Sequence, residues 1–250
     1  MACRIGLRAP DFSRLRSAIL LIVVSAFLVA CQTLKPVKTD VVKQAIAPTD
    51  ADARWWYLRF RFTRDSDGEV KSYLDPLIAD QIMAPLLADS DDALPLWRFH
   101  RRWPEDTVGH QFSFVFFASE TVAADLNERV GNAPLLGRLR TDGHLREYRL
   151  DRVEGRRARD RAATSDRSWA PEIQRAWPVF IMGASRMWLA LVHAQAGKVA
   201  EQPLYDRYRA AEQALDDLWF REGNHAMFHH LSALFGYKPL RVIRRDVMTF

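Results

Sequence analysis

The stretch RWWYLRFRFT, residues 54–63, decides the fold that the sequence predicts. Side chains of two kinds alternate along it with the period of two that is typical of a β-strand. The even positions are all apolar: Trp56, Leu58, Phe60 and Phe62. The odd positions are aromatic or basic: Trp55, Tyr57, Arg59 and Arg61. Such a strand indicates a sheet that packs helices on one face and leaves the other face free.

Similar patterns predict the elements that follow this strand. They are a turn at Asp65–Gly68, a helix over Val70–Ala88, strands over Leu96–Trp103 and His110–Ala118, a helix over Thr121–Leu136, and a strand over His144–Val153. The resulting order, βαββαβ, is the pattern of a ferredoxin-like split βαβ fold. We therefore predict an α+β domain whose ferredoxin-like part spans residues 54–153.

The remainder of the domain is predicted to be mainly helical. Residues 154–170 are rich in arginine and read as an exposed linker, and residues 171–250 complete the single α+β domain of residues 54–250. Within that last part, we predict a buried, almost uniformly apolar helix over Trp177–Val192, an amphipathic helix over Pro203–Glu222, a further helix over His225–Phe235 after a break at Gly223, and an edge strand over Leu240–Asp246.

The N-terminus carries the pattern of a secretory signal. The apolar run from Ala18 to Ala30 spans roughly 20 Å as a helix, which is short for a hydrocarbon core of about 30 Å. Four arginines and only one aspartate precede or adjoin that run within residues 1–17. A positive segment followed by a short apolar segment is typical of a signal peptide, here residues 1–30.

The residues Leu28-Val29-Ala30-Cys31 at the end of that segment resemble the lipobox of bacterial lipoproteins. The resemblance implies that the chain is cut before Cys31, that this cysteine carries the lipid, and that residues 31–53 tether the domain to a membrane. Gln32 implies export to the outer membrane, with the domain facing the periplasm. The membrane is thus a predicted partner through the lipid on Cys31.

Cysteine usage and charge exclude several classes of function. The chain has two cysteines, Cys3 and Cys31, so the mature domain has no free thiol, no disulfide and no cysteine-based metal site. The net charge of +5 falls to about +2 without the signal peptide, because that segment has four arginines and one aspartate. Export and this small charge argue against nucleic acid as a partner, and no cofactor is expected.

The free sheet face is the first candidate site. Aromatic and basic side chains would lie together there: Trp55, Tyr57, Arg59, Arg61, Arg98, His100 and Arg102. Such a face binds anionic ligands in other modules of this topology, and in the envelope the ligand would be a lipid headgroup, a glycan or an acidic protein segment. Alternatively, the C-terminal helices pack on this face, since Trp177 and Trp188 must be buried somewhere.

Two smaller candidates lie in the helical part. Arg186 is a charge inside an apolar helix, which predicts either a structural ion pair or, without a protein partner, a pocket for an anion. Glu222, His225 and His229 form a candidate metal site, since two histidines four residues apart share one helix face. His230 lies beside them. The competing interpretation is that these histidines are exposed or satisfied within the core.

A second resemblance concerns residues 55–152. The runs Trp55-Trp56-Tyr57, Leu74-Asp75-Pro76-Leu77, Trp97-Arg98-Phe99-His100-Arg101 and His110-Gln111-Phe112-Ser113-Phe114 are similar to the C-terminal domain of lanthipeptide dehydratases. In that family, arginine and histidine side chains support elimination of glutamate from a peptide. The family's strand has a histidine followed by alternating arginines, whereas Phe112 and Phe114 occupy those places here.

These observations predict a lipid-anchored envelope protein with a non-catalytic binding or assembly role facing the periplasm. Its partner would be an envelope protein or an anionic envelope component. The alternative is a small periplasmic hydrolase or lyase, with histidine and arginine in a pocket between sheet and helices. The catalytic residues of such an enzyme are not identified by any motif, because the chain has neither a Gly-rich phosphate loop nor a nucleophile elbow.

Overall fold

The computed structural model of the chain describes residues 53–90, 93–102, 104–105, 109–151 and 160–239. All of these residues belong to one compact unit, which spans Pro48–Phe250. The predicted signal peptide, the lipid attachment at Cys31, the tether up to residue 52 and the strand Leu240–Asp246 lie outside the described residues.

Four strands form one antiparallel sheet. They are β1 (Arg54–Phe62), β2 (Leu96–Arg101), β3 (Phe112–Ala118) and β4 (Leu145–Leu150). Their order across the sheet is β2-β3-β1-β4, and each neighbouring pair is antiparallel. Together with the helices, this sheet makes the fold α+β, which confirms the predicted class. The four predicted strands are present with slightly shorter bounds.

Helical segments connect and follow the strands. In chain order they are α1 (Leu74–Ile78), a π-helical segment (Ala79–Met83), α2 (Ala84–Ser90), α3 (Glu120–Gly131), α4 (Pro134–Thr141), a 3₁₀ turn (Arg161–Thr164), α5 (Pro171–Gly197), α6 (Leu204–Gly223), a second π-helical segment (Asn224–His229) and α7 (His230–Leu234).

The main core lies between the helices and the face of the sheet that carries Trp56, Leu58 and Phe60. Trp56, Leu58 and Phe60 of β1 are fully buried there, among the helices α1 to α4 and phenylalanines of β3, and Phe62 is partly buried. Phe99 stacks on Phe112 with ring centroids 5.5 Å apart, and Phe114 stacks on Phe116 at 5.3 Å. Aromatic pairs at these separations add specific contact to the burial of apolar area, so this aromatic layer fixes how the helices sit on the sheet.

Helix α5 lies along the outer edge of β2. The backbone amide of Phe99 donates to Ser185 Oγ at 3.1 Å, and Ser185 Oγ donates in turn to the Ile181 carbonyl at 2.8 Å. Trp188 packs edge-on against Phe99 at 5.4 Å. The helix thus covers an edge strand whose amides would otherwise be open to pairing with another chain.

The prediction that Trp177–Val192 is buried on all sides is wrong. Few residues of α5 are buried, while Ile173, Val179, Phe180 and Met187 are exposed on its outer side. The reason is that α5 packs against the edge of the sheet and against α6, so only one stripe of the helix finds a partner surface.

Two helix boundaries also differ from the prediction. The helix predicted over Thr121–Leu136 is divided, because Pro134 has no amide to continue α3 and instead starts α4. The predicted break at Gly223 is absent. Gly223 has helical dihedral angles, and the chain continues from it directly into the π-helical segment Asn224–His229.

The arginine-rich linker is partly structured. Residues 154–159 lie outside the described residues. The 3₁₀ turn packs against the face of the sheet that carries Trp55, Tyr57 and Arg59, which we call the odd face. Trp55 Nε1 donates to the carbonyls of Asp160 and Arg161, at 3.0 and 3.2 Å, and the Arg161 guanidinium lies 5.6 Å from the centroid of the Phe117 ring. This segment therefore covers one end of the face that was predicted to be either free or covered by helices.

Candidate functional site

The register of the sheet brings the predicted face residues together. Arg59 of β1 and His100 of β2 both pair with Ser113 of the strand between them, and Tyr57 and Arg98 both pair with Val115. Residues two strands apart are separated by roughly 9 to 10 Å. The odd face is thus a surface with basic and aromatic side chains on either side of a small central residue.

Part of this face is closed or internally paired. Trp55 is only 2% exposed and packs with Leu96, Val115 and Phe117, so it is unavailable to a ligand. The Arg59 guanidinium lies 4.5 Å from the centroid of the Tyr57 ring and bonds Asp151 at 3.1 Å.

Arg98 is also withdrawn from solvent, and burial lowers the pKa of its guanidinium. Trp55, Tyr57 and Arg59 therefore already have structural contacts, and further cations lie nearer the end of the sheet.

At the end of β1, the structure forms a cavity of about 290 Å³ that we call the basic pocket. Its lining residues are Arg61, Phe62, Thr63, Arg64, Val70, Lys71, Gly109, His110 and Arg146. Four of them are lysine or arginine and none is a carboxylate. Several like charges around one small cavity concentrate a positive potential there.

Local structure explains why these cations converge. The register of β1 against β4 shifts between Arg61 and Phe62, which bends the strand at the rim of the pocket. The chain then turns through Asp65, whose Oδ1 accepts from the amides of Asp67 and Glu69, at 3.0 and 2.8 Å. Gly68 completes the turn with φ of 82°, a conformation that favours glycine.

The charges of three cations in the basic pocket are not neutralised by carboxylates of the described chain. Arg64 donates only to the carbonyls of Gly68 and Pro104, at 2.6 and 3.3 Å. Lys71 Nζ donates to Thr63 Oγ1 at 3.1 Å and lies 3.3 Å from His144 Nδ1. Arg146 is exposed and makes no hydrogen bond or ion pair with the described residues.

His144 supports the charge of Lys71. Burial, followed by the nearby ammonium group of Lys71, lowers the pKa of the His144 imidazole. The ring therefore stays neutral at ordinary pH, and Nδ1 can accept from the ammonium group. Lys71 is positioned by two neutral acceptors, which hold its charge in place without neutralising it.

A buried ionic cluster borders the pocket and consists of Asp75, Arg101, His110 and Glu212. Arg101 Nε donates to Asp75 Oδ2 at 2.7 Å, and its Nη2 makes a short bond to Glu212 Oε1. Burial raises the pKa of Glu212, whereas the two carboxylates outweigh burial at Arg101 and raise the pKa of the guanidinium.

The surroundings of His110 favour the protonated ring. Its Nδ1 lies 2.8 Å from the Arg102 carbonyl and its Nε2 lies 3.0 Å from Asp75 Oδ2, and both of these oxygens can only accept from the ring. Burial would lower the pKa of His110, but the bonds to Asp75 and Arg102 outweigh it and raise that pKa. The cluster thus pairs two cations with two carboxylates, and neither nitrogen of His110 is open to a substrate.

A wider cleft of about 920 Å³ continues from the basic pocket past His110 and Arg64. His100, Arg101 and Arg102 line it, together with the carboxylates of Glu69 and Glu105. Two of the predicted face residues, His100 and Arg102, therefore lie in this cleft. Its mixed charges make it a weaker anion site than the basic pocket, which contains no carboxylate.

A second histidine–carboxylate pair lies between α5 and the first π-helical segment. His193 Nδ1 lies 3.0 Å from Asp80 Oδ1, while Asp80 Oδ2 accepts a short bond from the Tyr208 hydroxyl and another from Gln81 Nε2 at 3.1 Å. The imidazole is 81% exposed. A buried carboxylate that orients an exposed imidazole is an arrangement used in proton transfer.

The candidates in the helical part are placed differently from their prediction. Arg186 is exposed, and its guanidinium lies 5.8 Å from the Trp97 ring centroid, so it is not a buried charge within α5. His225 and His229 stack with ring centroids 5.1 Å apart, and His230 lies beside both. Within the described part of the chain, no three His, Cys, Asp or Glu side chains form a metal-binding group, so Glu222 is not joined to these histidines.

The sequence interpretation missed Arg64, Lys71, His110 and Arg146. Lys71, His110 and Arg146 fall within a predicted helix and two predicted strands, but none of these patterns marks a site. In the structure, Arg64, Lys71 and His110 lie in connections, and Arg146 follows the start of β4. A weak signal was present in the basic residues that flank the predicted turn at Asp65–Gly68. The pairing of Asp75 with Arg101 and His110 depends on tertiary packing and has no local signal.

Comparisons with known proteins do not assign the chain to a family. No family model matches the chain, no curated protein matches it, and no solved structure matches it. Of the helices in the described ranges, none combines the length and the apolar character that a membrane span requires.

Proposed function

We propose that this protein is a lipid-anchored envelope protein that binds an anionic envelope component in the basic pocket and catalyses no reaction on it. The observation that carries this proposal is the charge imbalance of the pocket, in which Arg64, Lys71 and Arg146 have no carboxylate partner among the described residues. Cations held without counter-charges are favourable sites for an anion, which completes their hydrogen bonds.

The chemistry of the pocket favours a phosphate or carboxylate group. Its volume of about 290 Å³ accommodates a small charged group rather than a whole chain. Arg64 and Arg146 can donate in the planar, bidentate fashion that suits such oxygens, and Lys71 adds a point charge. The ligand would therefore present one anionic group into the pocket, while the rest of it extends along the adjoining cleft.

The proposed location follows from the N-terminal sequence. The resemblance of Leu28–Cys31 to a lipobox supports a lipid on Cys31, and Gln32 supports export to the outer membrane with the domain facing the periplasm. Mass analysis of the mature N-terminal peptide tests this. We expect an acylated Cys31 as the first residue and loss of the acyl groups on Cys31→Ala; an unmodified cysteine in the native chain would reject lipid attachment.

We also propose that the sheet is of the ferredoxin-like type. The support is the chain order βαββαβ together with the antiparallel strand order β2-β3-β1-β4, in which β3 lies between β1 and β2. Helices α5 and α6 then form an addition beyond that unit, along the edge of β2.

Thermal unfolding in the presence of inorganic phosphate tests the binding site. A ligand at ten times its Kd stabilises the folded state by about 1.4 kcal/mol, so the Tm of the unaltered chain should rise with phosphate at constant ionic strength. The variant with both Lys71→Gln and Arg146→Gln should lose most of this rise. Phosphate also stabilises proteins non-specifically. The evidence for binding in the basic pocket is therefore the difference in Tm rise between the unaltered chain and the double variant.

Arg209→Gln is the matched control for that experiment. Arg209 is also exposed, but it pairs with Asp206 at 2.7 Å on α6 and does not line the pocket. It should keep the full phosphate response. If the double variant and this control respond equally, the basic pocket does not bind the anion and the proposal is rejected.

Photocrosslinking in cells then identifies the ligand class. A photoreactive residue in place of the exposed Arg146 would report what occupies the rim of the pocket. Capture of an anionic lipid, a glycan or an acidic protein segment, reduced by Lys71→Gln in each case, supports the proposal. Crosslinks that persist unchanged in the Lys71→Gln background would show that the captured molecule does not depend on the pocket.

A hydrolase or lyase is the second candidate, and the Asp80–His193 pair is the observation that favours it. An exposed imidazole held by a buried carboxylate can exchange a proton with a bound molecule. Assays with ester and phosphoester substrates test this: His193→Gln and Asp80→Asn should each abolish any turnover. Turnover that is absent in the unaltered chain, or equal in these variants, would reject the enzyme.

A further inference from the structure

A second cavity lies between β2, the 3₁₀ turn with the segment after it, and α5. We call it the tryptophan cleft, and its volume is about 430 Å³. Its lining is mostly apolar and includes the indole rings of Trp169, Trp177 and Trp188 together with Ile181. Among the described residues, it shares no lining residue with the basic pocket. A mainly apolar cavity of this size with a few polar groups is typical of a site for a small organic ligand.

The walls of the tryptophan cleft are held in place by contacts between elements. The rings of Trp169 and Trp177 pack edge-on with centroids 4.9 Å apart, and Gln174 Nε2 donates to the Trp169 carbonyl at 2.7 Å. Trp188 is fixed by its edge-on contact with Phe99 of β2. The cleft is therefore formed before a ligand arrives, which limits the conformational entropy that binding costs.

Arg98 brings an uncompensated positive charge to the tryptophan cleft. Its guanidinium makes no hydrogen bond or ion pair with the described residues, and its Nε atom is buried without a partner. Thr164 Oγ1, which belongs to another lining residue, is buried in the same way. Burial lowers the pKa of the Arg98 guanidinium, because the charged form is poorly solvated there. A bound anion would offset the cost of that buried charge.

The other arginine and the carboxylate in the lining do not compensate Arg98. Arg101 already pairs with two buried carboxylates. Asp166 is the one carboxylate in the described lining, and its Oδ1 accepts from the amide and the hydroxyl of Ser168, at 2.8 and 2.7 Å. Asp166 is exposed, so solvent screens its charge. An anionic group that enters the cleft would therefore meet the unpaired charge of Arg98.

From these observations we propose that the tryptophan cleft binds an aromatic carboxylate. The ring of the ligand would pack against the indole rings, because aromatic pairs gain contact energy beyond the apolar area that they bury. Its carboxylate would pair with Arg98, since a planar guanidinium can donate to both oxygens of such a group. This site is separate from the anion site in the basic pocket, and neither proposal requires the other.

Equilibrium dialysis of the full chain against naphthoate tests the site. Naphthoate has a flat apolar ring system and a single carboxylate, and the cleft is large enough to hold it. We expect saturable binding of a single molecule per chain. Naphthalenemethanol has the same rings without the charge, so it should bind about tenfold more weakly through loss of a charged hydrogen bond. Octanoate has the charge without the rings and should also bind more weakly than naphthoate.

Two substitutions locate the bound acid. Arg98→Met removes the charge but keeps most of the apolar length of the side chain, and it should raise the Kd of naphthoate about tenfold or more. Because Arg98 has no partner to lose among the described residues, this variant should fold with an unchanged or higher Tm. Trp177→Leu should raise the Kd by about 2- to 10-fold through loss of aromatic contact.

Arg175→Met is the matched control, because Arg175 is an exposed residue of α5 that pairs with Glu172 and does not line the cleft. It should bind naphthoate as the unaltered chain does. The double variant Lys71→Gln with Arg146→Gln should also keep this binding, which separates the tryptophan cleft from the basic pocket.

Several results would overturn the proposal. Absence of saturable binding would reject the cleft as a site for this class of ligand. Equal affinity in Arg98→Met and Arg175→Met would place the acid elsewhere, for example on the exposed apolar residues of α7. Loss of binding in the double variant would assign naphthoate to the basic pocket. Octanoate or naphthalenemethanol binding as tightly as naphthoate would reject the aromatic ring or the carboxylate as a requirement.

Discussion

Asp75 shows how a single residue organises the centre of this domain. Its side chain is fully buried at the start of α1, and it accepts from Arg101 on β2 and from His110 before β3. A carboxylate in that position is costly unless it is paired. The three residues come from separate parts of the chain, so their bonds tie the first helix to two strands of the sheet.

Replacement of Asp75 by asparagine should destabilise the protein strongly. The substitution keeps the volume but leaves Arg101 with one carboxylate and His110 without its carboxylate counter-charge. Loss of one partner from a buried ion pair costs about 3 kcal/mol of unfolding free energy, which denaturant titration measures. Asp206→Asn, which breaks the exposed pair with Arg209, should cost less than about 1 kcal/mol. Equal losses would show that the buried cluster is not a structural tie.

The raised pKa of His110 predicts how stability varies with pH. The folded state holds this proton more tightly than the unfolded state, whose histidine has a pKa near 6.5. The stabilisation is therefore complete below about pH 6.5 and is lost as the pH rises through the folded value. We expect the unfolding free energy of the unaltered chain to fall more steeply over this range than that of His110→Asn.

Glu212 does not disturb the comparison, because both proteins contain it. Burial raises its pKa, so its contribution also falls with rising pH and adds the same trend to both curves. Parallel curves would contradict a charged His110 in the folded state.

For single residues, the sequence predicted which side chains share a face of the sheet better than it predicted which side chains contact one another. The alternation from 54 to 63 correctly predicted that Arg59 and Arg61 share a face with His100. It did not predict that Trp55 is buried under the 3₁₀ turn, because that contact joins residues more than 100 positions apart. Long-range pairs have no periodic signal, and the cluster around Asp75 was missed for the same reason.

Among the elements, α5 has the clearest structural task. It lies along the outer edge of β2, where Ser185 accepts the amide of Phe99. The opposite edge of the sheet is β4, so α5 protects one of two edges. Serine in the middle of a helix is ordinarily neutral or unfavourable, and here its hydroxyl replaces the carbonyl of a missing fifth strand.

Two helical glycines should respond in opposite ways to alanine. A Cβ at Gly183 in α5 would meet no atom within 4 Å, so Gly183→Ala should stabilise the protein by about 0.5 to 1 kcal/mol through reduced backbone freedom. A Cβ at Gly223 would lie 3.1 Å from the Trp219 ring, which must then move. Gly223→Ala should gain nothing or lose stability, as measured by denaturant titration. A similar gain at both positions would show that Trp219 is not packed on Gly223.

The strands were predicted more accurately than the ends of the helices. The strands were predicted well because each has an apolar face that the core must bury, which repeats every second residue. Helix ends were predicted less well. A new helix begins at Pro134. Gly223, which the sequence predicts as a break, lies within a continuous helical path with the Trp219 ring beside it.

At the scale of the whole molecule, charge and apolar surface are separated. The basic pocket lies at one end of the sheet, and the exposed apolar residues Trp219, Phe220 and Leu234 lie in the last turn of α6 and in α7. The sequence predicted basic residues on the sheet and helices after it. The position of the pocket could not be predicted, because it depends on which connections fold back beside the end of β1, and the sequence pattern does not encode that geometry.

The described core must be stable without covalent or metal cross-links. Both cysteines precede it, and the described residues contain no group of three metal ligands. The main core buries a continuous aromatic and aliphatic layer instead, and a domain of about 200 residues can bury enough apolar area to fold on that basis alone. Neither a thiol reductant nor a metal chelator should therefore change its Tm.

Thermal unfolding with and without dithiothreitol and EDTA measures this directly. Leu77→Ala provides the positive control, since Leu77 is fully buried between α1 and the sheet. Removal of a buried leucine costs about 2 to 5 kcal/mol, and in a domain of this size each kcal/mol lowers the Tm by roughly 2 to 4 °C. A chelator effect as large as that of Leu77→Ala would contradict a core held by packing and would return attention to His225 and His229 as ligands.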